Sequence, residues 1–137
     1  MSTVARKIAT LVRCIERARA ELSQAGQGFA ADFTRQDAAI LNVTRACEAA
    51  IDLANMVVRA KRLGVPGDAR EAFALIQRGN LLDADLSTRL QKMIGFRNIA
   101  VHQYQDLDLR IVESVIRSGV DDLLRFGEIA RELLGDA

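Results

Sequence analysis

The sequence predicts an all-α protein, an up-and-down bundle of four main helices and one short helix. Half of its 137 residues are hydrophobic, only 4% are aromatic, and there is a single proline. Apolar residues recur three and four positions apart, and no segment alternates with a period of two. Long helices packed on one core are the architecture that such a pattern indicates. At this length we expect one domain, residues 1–137.

The first two helices are predicted by apolar spacing and by their boundaries. We expect the first over residues 3–24, ended by Gly26-Gln27-Gly28. Thr34 with Asp37 three residues later resembles a capping box and predicts the start of the second, which should continue to about Leu63. The apolar positions are Val4, Ile8, Leu11, Ile15 and Leu22 in the first helix, then Ile40, Val43, Cys47, Ile51, Ala54 and Val58 in the second.

A break at Gly64-Val65-Pro66-Gly67 precedes a short helix and a longer one. Asp68 with Glu71 predicts the start of the short helix, over residues 69–78. Asp83 is the predicted cap of the fourth helix. The apolar side of that helix should contain Leu86, Leu90, Met93 or Ile94, and Ile99 or Val101.

The fifth helix should begin after Asp106 or Asp108, since either side chain can cap it. Its apolar stripe predicts that it continues to about Leu134. The stripe consists of Val112, Val115, Ile116, Leu123, Phe126 and Leu133.

The charges are unevenly distributed along the chain. Residues 1–102 carry 15 Lys and Arg against 10 Asp and Glu, whereas residues 103–137 carry 4 against 8. A net charge of +1 argues against a protein that coats nucleic acid nonspecifically. It is compatible with an enzyme that contacts a few phosphates.

The cysteines and the N-terminus exclude several other classes. Cys14 and Cys47 are isolated, without CxxC spacing or a second histidine, so we expect no metal site and no disulfide. Both should be small buried residues in helices. Residues 1–20 contain five basic side chains and no long apolar run. We therefore expect a soluble cytoplasmic protein with no membrane segment.

The only histidine and the only tyrosine lie together, His102 and Tyr104, close after Arg97 and Asn98. Histidine can both give and take protons near neutral pH. On an ideal helix Asn98 and His102 share a face, but Arg97 and His102 are about 140° apart. They can meet only if the helix ends irregularly near His102 or if a second copy lies opposite. In an extended chain after the helix end, His102 and Tyr104 would lie on the same side.

This cluster suits metal-free cleavage of RNA. Histidine can take the proton of the 2′-hydroxyl or protonate the leaving 5′-oxygen, and arginine can neutralise charge on the phosphate. Both proton transfers together need two such groups, which a symmetric dimer would supply. The residues alone also allow a structural interpretation, with His102 in solvent, Arg97 in a surface ion pair and Tyr104 at the core edge with its hydroxyl in water.

Arg97, His102 and Tyr104 together form a pattern that resembles the R-x4-H-x-Y motif of the HEPN superfamily, in particular the HepT toxin family. The stretch Gly95-Phe96-Arg97-Asn98-Ile99-Ala100-Val101-His102 is similar to that family's signature. The likeness extends upstream through residues 47–55 and the break at 64–66, and downstream through residues 106–126. It covers about residues 35–130, with no departure from the motif.

The resemblance implies an α-helical, dimeric ribonuclease that acts without metal or cofactor. Arg97 would stabilise the phosphate, His102 would be the acid and base, and Asn98 would orient the substrate or the motif. Such proteins are toxins of type II toxin–antitoxin pairs, and the RNA could be a tRNA or an mRNA. The expected partner is an MntA-like minimal nucleotidyltransferase, which uses ATP to place AMP on the tyrosine at the position of Tyr104.

Two other interpretations remain open at this point. The chain could be a non-enzymatic helical module that binds and regulates a nucleotidyltransferase. The basic N-terminal part could also act as a nucleic-acid adaptor, although the absence of Trp and the single Tyr argue against binding of single strands by stacking.

Overall fold

A computed structural model describes residues 2–135, and all regular secondary structure within that range is helical. Two helical segments near the C-terminus are joined by one π-helical turn into a single continuous helix. There are thus four main helices and one short one, and the predicted fold class is confirmed. The segments are α1 (Thr3–Ala25), α2 (Phe33–Ala60), α3 (Ala69–Arg78), α4 (Ala84–His102), α5 (Leu109–Ser114) and α6 (Val120–Leu134).

Helix α2 is the central element, because it packs against α1, α3, α4 and α6. Much of its buried surface is alanine, and small side chains allow neighbouring helices to approach closely. The alanines on this buried surface are Ala39, Ala46, Ala49, Ala50 and Ala54. At the end of the core, the Phe73 and Phe126 rings meet edge to face with centroids 5.0 Å apart.

The predicted caps of the three later helices are confirmed. The side chain of Asp68 accepts a hydrogen bond from the backbone N–H of Glu71, and that of Asp83 accepts from Leu86, both at 2.8 Å. Of the two candidates for the fifth helix, Asp108 is the cap, and its carboxylate accepts from Arg110.

The boundaries of α2 differ from those expected. Asp32 caps the helix by accepting from the backbone N–H of Arg35 at 3.1 Å, so the expected start at Thr34 was wrong. Thr34 already lies in the first helical turn. At the other end α2 stops at Ala60, before Leu63, because Arg62 adopts a positive φ of 54°. Gly64 follows with φ +126°, a conformation that only glycine adopts readily.

The C-terminal half of α4 presents a different face to the core than expected. Met93 and Ile94 are buried, but Ile99 and Val101 are 39% and 49% exposed, so their assignment to the apolar side was wrong. Ala100 is buried instead, at 8%. Four residues after Phe96, it continues the buried side of the helix with a small side chain. Two large apolar residues are therefore left on the surface beside the sequence motif.

The continuous C-terminal helix contains a feature that apolar spacing did not predict. Between α5 and α6, residues Val115–Gly119 form a π-helical turn. Arg19 of α1 donates to the backbone carbonyls of Ile116 and Arg117 there, at 3.1 and 3.2 Å, and its guanidinium also pairs with Asp121. A widened turn loosens backbone hydrogen bonds, and Arg19 satisfies two of the carbonyls involved.

None of the helices in residues 2–135 is sufficiently long and apolar to span a membrane.

Candidate active site

The last turns of α4 lie against the outer surface of α2. Arg97 is half-buried there, and its Nε donates to Oε1 of Glu48 at 2.7 Å. Its Nη1 donates to Oδ1 of Asn98 at 2.8 Å. Two of the three guanidinium nitrogens are thus engaged by neighbouring side chains, and these bonds orient the planar group. Asn98 contacts the motif arginine itself, which is one of the two roles expected for it.

His102 is the last residue of α4 and is exposed. The helix therefore ends at the histidine, which agrees with the helix C-terminus that the spacing suggested. The expected extended chain after it was wrong, since Tyr104–Asp106 form a 3₁₀ turn. Across the described residues, no hydrogen bond or ion pair joins Arg97 to His102. Within a single copy of the chain, Arg97 and His102 are thus not joined by a polar contact.

Tyr104 is 43% exposed and is tied to α2 by its hydroxyl, which donates to Oδ1 of Asp37. The structural interpretation placed this hydroxyl in water, and the structure adds a protein partner for it at an exposed position. Partial burial, the hydrogen bond to Asp37 and the negative charge of Asp37 raise the pKa of Tyr104 to about 12. The hydroxyl is therefore protonated at neutral pH, and its oxygen lies directly beside a carboxylate.

Glu48 and Asp37 belong to one exposed stripe along α2, which we call the outer stripe and define as Asp37, Leu41, Arg45 and Glu48. Spacings of four, four and three residues place these side chains on a single helical face. From the sequence, Asp37 was expected in a capping box with Thr34, and Glu48 was only part of residues 47–55, which resemble the family. Neither residue was therefore predicted to lie at the site. The signal that could have indicated this face is the recurrence of polar or exposed residues every three or four positions in an alanine-rich helix.

Cys47 lies beneath the motif and has a structural role. It is fully buried, and its Sγ donates to the backbone carbonyl of Met93 at 3.8 Å. Burial, reinforced by the charge of Glu48, raises the pKa of the Cys47 thiol to about 12, against the lowering effect of Arg97. A thiol that holds its proton this firmly is a poor nucleophile. Both cysteines are buried and free, as expected.

The titratable side chains offer no evident metal centre. Within residues 2–135, no group of three or more His, Cys, Asp or Glu side chains is arranged to hold a metal ion.

Comparison with known proteins identifies the family. The family profile described as ribonuclease HepT-like matches residues 11–129, most of the chain. The chain belongs to this family. The resemblance found in the motif is thereby confirmed, as is the prediction of a ribonuclease at the level of the family.

Individual relatives agree with this assignment. The mRNA nuclease HepT of Shewanella oneidensis is 45% identical over 125 residues, which span 91% of this chain and 93% of the relative. A tri-AMPylated Shewanella oneidensis HEPN toxin, solved in complex with an MNT antitoxin, is 43% identical with a TM-score of 0.89, over 96% of this chain and 99% of that chain. A toxin–antitoxin structure with AMP-PNP is 43% identical with a TM-score of 0.88, over 94% and 97%.

The bond between Tyr104 and Asp37 predicts an unusual alkaline titration. Because the chain has one tyrosine and no tryptophan, absorbance at 295 nm reports Tyr104 alone. With a pKa of about 12, only about a tenth of the folded protein is ionised at pH 11. Asp37→Asn should lower the midpoint toward the ordinary value, though not fully, since burial remains. The unfolded chain loses this proton near pH 10, so the free energy of unfolding should fall as the pH rises from 10 to 12.

Circular dichroism at each pH establishes that the helices are intact during the titration. A wild-type midpoint equal to that of the urea-unfolded chain would contradict the hydrogen bond between Tyr104 and Asp37.

Proposed function

We propose that this protein is the toxin of a toxin–antitoxin pair, an RNA endonuclease whose active residues are Arg97 and His102. We further propose that a nucleotidyltransferase antitoxin silences it by adding AMP to Tyr104. The observation that carries the proposal is the C-terminal turn of α4, where an oriented guanidinium, an exposed imidazole and an accessible tyrosine hydroxyl follow one another within eight residues. Family membership supports the same conclusion.

The proposed reaction uses the 2′-hydroxyl of RNA as nucleophile. A base takes its proton, the oxygen attacks phosphorus, the bond to the 5′-oxygen breaks, and an acid protonates that oxygen. The products are a 2′,3′-cyclic phosphate and a 5′-hydroxyl. His102 is suited to the proton transfers. Arg97, held by Glu48 and Asn98 through two nitrogens, keeps Nη2 for the phosphate oxygens.

A homodimer completes this site in our proposal. One chain supplies one histidine, whereas base and acid act in the same reaction, so a second His102 from a symmetric copy fills the missing role. Exposed apolar side chains beside the motif, namely those of Leu41, Ile99 and Val101, support an interface at this face. Such contacts would set the two motifs opposite each other.

The partner and the substrate are inferred from the relatives. One solved relative is described as a HEPN toxin, tri-AMPylated and in complex with an MNT antitoxin, and the curated relative is an mRNA nuclease. We therefore propose an MntA-like nucleotidyltransferase as partner and mRNA as the first substrate to test. AMP on Tyr104 would add a phosphate charge two residues from His102, where it would repel the RNA backbone.

Cleavage should depend on the motif and should not require a metal ion. His102→Ala and Arg97→Ala should each lower the rate of RNA cleavage in EDTA by about 100-fold or more, because each removes a group used in the transition state. Arg125→Ala removes an exposed arginine far along the chain, paired with Glu128, and should leave the rate unchanged. The rates are measured on a labelled mRNA, and RNA ends are mapped for a cyclic phosphate.

Activity lost in EDTA and restored by a divalent cation would overturn the metal-free mechanism. Equal harmlessness of wild type and His102→Ala in cells, together with no cleavage in vitro, would favour the non-enzymatic regulatory module.

Glu48 should act by positioning Arg97. Glu48→Gln keeps the size of the side chain but removes the charge that holds Nε, so we expect kcat to fall about tenfold with little change in KM. Asp52→Asn is the matched control, since Asp52 lies one turn further along α2 and pairs with Lys7 instead. Thermal unfolding of both variants is followed in parallel. If Glu48→Gln lowers the melting temperature but leaves kcat intact, the ion pair is only structural.

The AMP switch should depend on the Tyr104 hydroxyl. Incubation with the partner and ATP should add AMP to wild type, detected at Tyr104 by peptide mass spectrometry, and should abolish RNA cleavage. Tyr104→Phe lacks the acceptor oxygen, so it should remain unmodified at this site and active under the same conditions. Silencing of Tyr104→Phe by the enzymatic activity of the partner would show that the switch lies elsewhere.

A further inference from the structure

The carboxylate of Asp37 is the side chain in contact with the oxygen that would receive AMP. It lies on the outer stripe of α2, exposed and in the second turn of the helix, and it accepts the hydrogen of the Tyr104 hydroxyl. Asp37 does not cap α2, because Asp32 does. It is also not part of the hydrophobic core, because it is exposed. Among residues 2–135, the only side chain that forms a hydrogen bond with Asp37 is Tyr104, sixty-seven residues away in the sequence.

We propose that Asp37 is the proton acceptor for modification of Tyr104, so that the toxin supplies a catalytic group for its own inactivation. This inference rests on the proposed function, since it concerns the transfer of AMP to that hydroxyl. It assigns to this chain a task that would otherwise fall to the nucleotidyltransferase.

The step balances with ATP as the only co-substrate. The Tyr104 oxygen attacks the α-phosphorus of ATP, a new O–P bond forms, and the bond between the α-phosphorus and the bridging oxygen of the β-phosphate breaks. Pyrophosphate leaves with the electron pair of that bond. The phenolic proton passes to the Asp37 carboxylate and from there to water. The product is a tyrosyl-AMP phosphodiester.

The environment of the hydroxyl makes a nearby acceptor necessary. With its pKa raised to about 12, the phenol holds its proton at neutral pH, so almost no phenolate is present to attack ATP. A carboxylate already bonded to the hydroxyl can remove the proton as the O–P bond forms. Tyr104 as a whole is 43% exposed, so a nucleotide held by a partner can approach this side chain.

The two titratable side chains closest to Tyr104 in the sequence do not accept a hydrogen bond from its hydroxyl. His102 and Asp106 each lie two residues from Tyr104, and in the described part of the chain neither forms a hydrogen bond with its hydroxyl. Asp106 carries the same charge as Asp37 and belongs to the same 3₁₀ turn as Tyr104. It is therefore a matched control that separates negative charge near the tyrosine from proton acceptance.

The test measures AMP transfer by the purified partner nucleotidyltransferase with ATP and Mg²⁺, using full-length toxin as the protein substrate. Transfer to Tyr104 is quantified by mass spectrometry over a range of toxin concentrations. For Asp37→Asn we expect kcat to fall at least tenfold while KM for the toxin changes less than twofold. Asp37→Glu, which retains a carboxylate, should recover part of the rate, and Asp106→Asn should stay within twofold of wild type.

Circular dichroism and RNA cleavage are recorded for every variant, because an intact fold and an intact nuclease show that only the modification step has changed. Wild-type kcat in Asp37→Asn, a loss through KM alone, or an equal loss in Asp106→Asn would each overturn the role of Asp37. Wild type that receives no AMP at Tyr104 would overturn the proposed switch as well, so the two failures are distinguishable.

Discussion

The packing of α2 is the constraint on which the rest of the structure depends. Its buried surface is rich in alanine, and α1, α3, α4 and α6 all pack against this one helix. Only one face of the helix remains exposed, and the polar residues of the outer stripe are confined to it. A charged side chain is costly to bury without a partner, so this face is also the one place where α2 can carry Asp37 and Glu48.

Helix α4 runs antiparallel to α2, and α4 and the turn after it contact this exposed face of α2 at two points. Arg97 meets Glu48 near the middle of α2, and Tyr104 meets Asp37 near its start. Arg97 and Tyr104 are seven residues apart in the sequence, whereas Glu48 and Asp37 are eleven apart along α2, and His102 lies between Arg97 and Tyr104. The end of α4 is thus held against α2 by one contact before His102 and one after it, while His102 itself is exposed. A side chain held in this way can face solvent without loosening the helix that carries it.

Much of this arrangement was predictable from local sequence. Asp68, Asp83 and Asp108 cap their helices because each precedes an apolar helical pattern, a signal that lies within a few residues. The exceptions have physical causes. Asp32 competes successfully with Thr34 as a cap, and the π-helical turn depends on Arg19, which is almost a hundred residues away in sequence. Ile99 and Val101 were expected in the core because their spacing fits an apolar helical face. Burial, however, also depends on whether another helix packs against that face.

By itself, the sequence determined the helical class, the boundaries of most helices and the motif residues Arg97, His102 and Tyr104. These follow from short-range spacing and from residue types that occur once in the chain. The contacts of Glu48 and Asp37 were decided only by the tertiary structure, because hydrogen bonds across forty-nine and sixty-seven residues leave no local periodic signal. The tertiary structure also shows that, among the described residues, no hydrogen bond joins Arg97 to His102. Five positions apart on a regular helix, the two side chains point in different directions, and the turn after His102 does not bring them together.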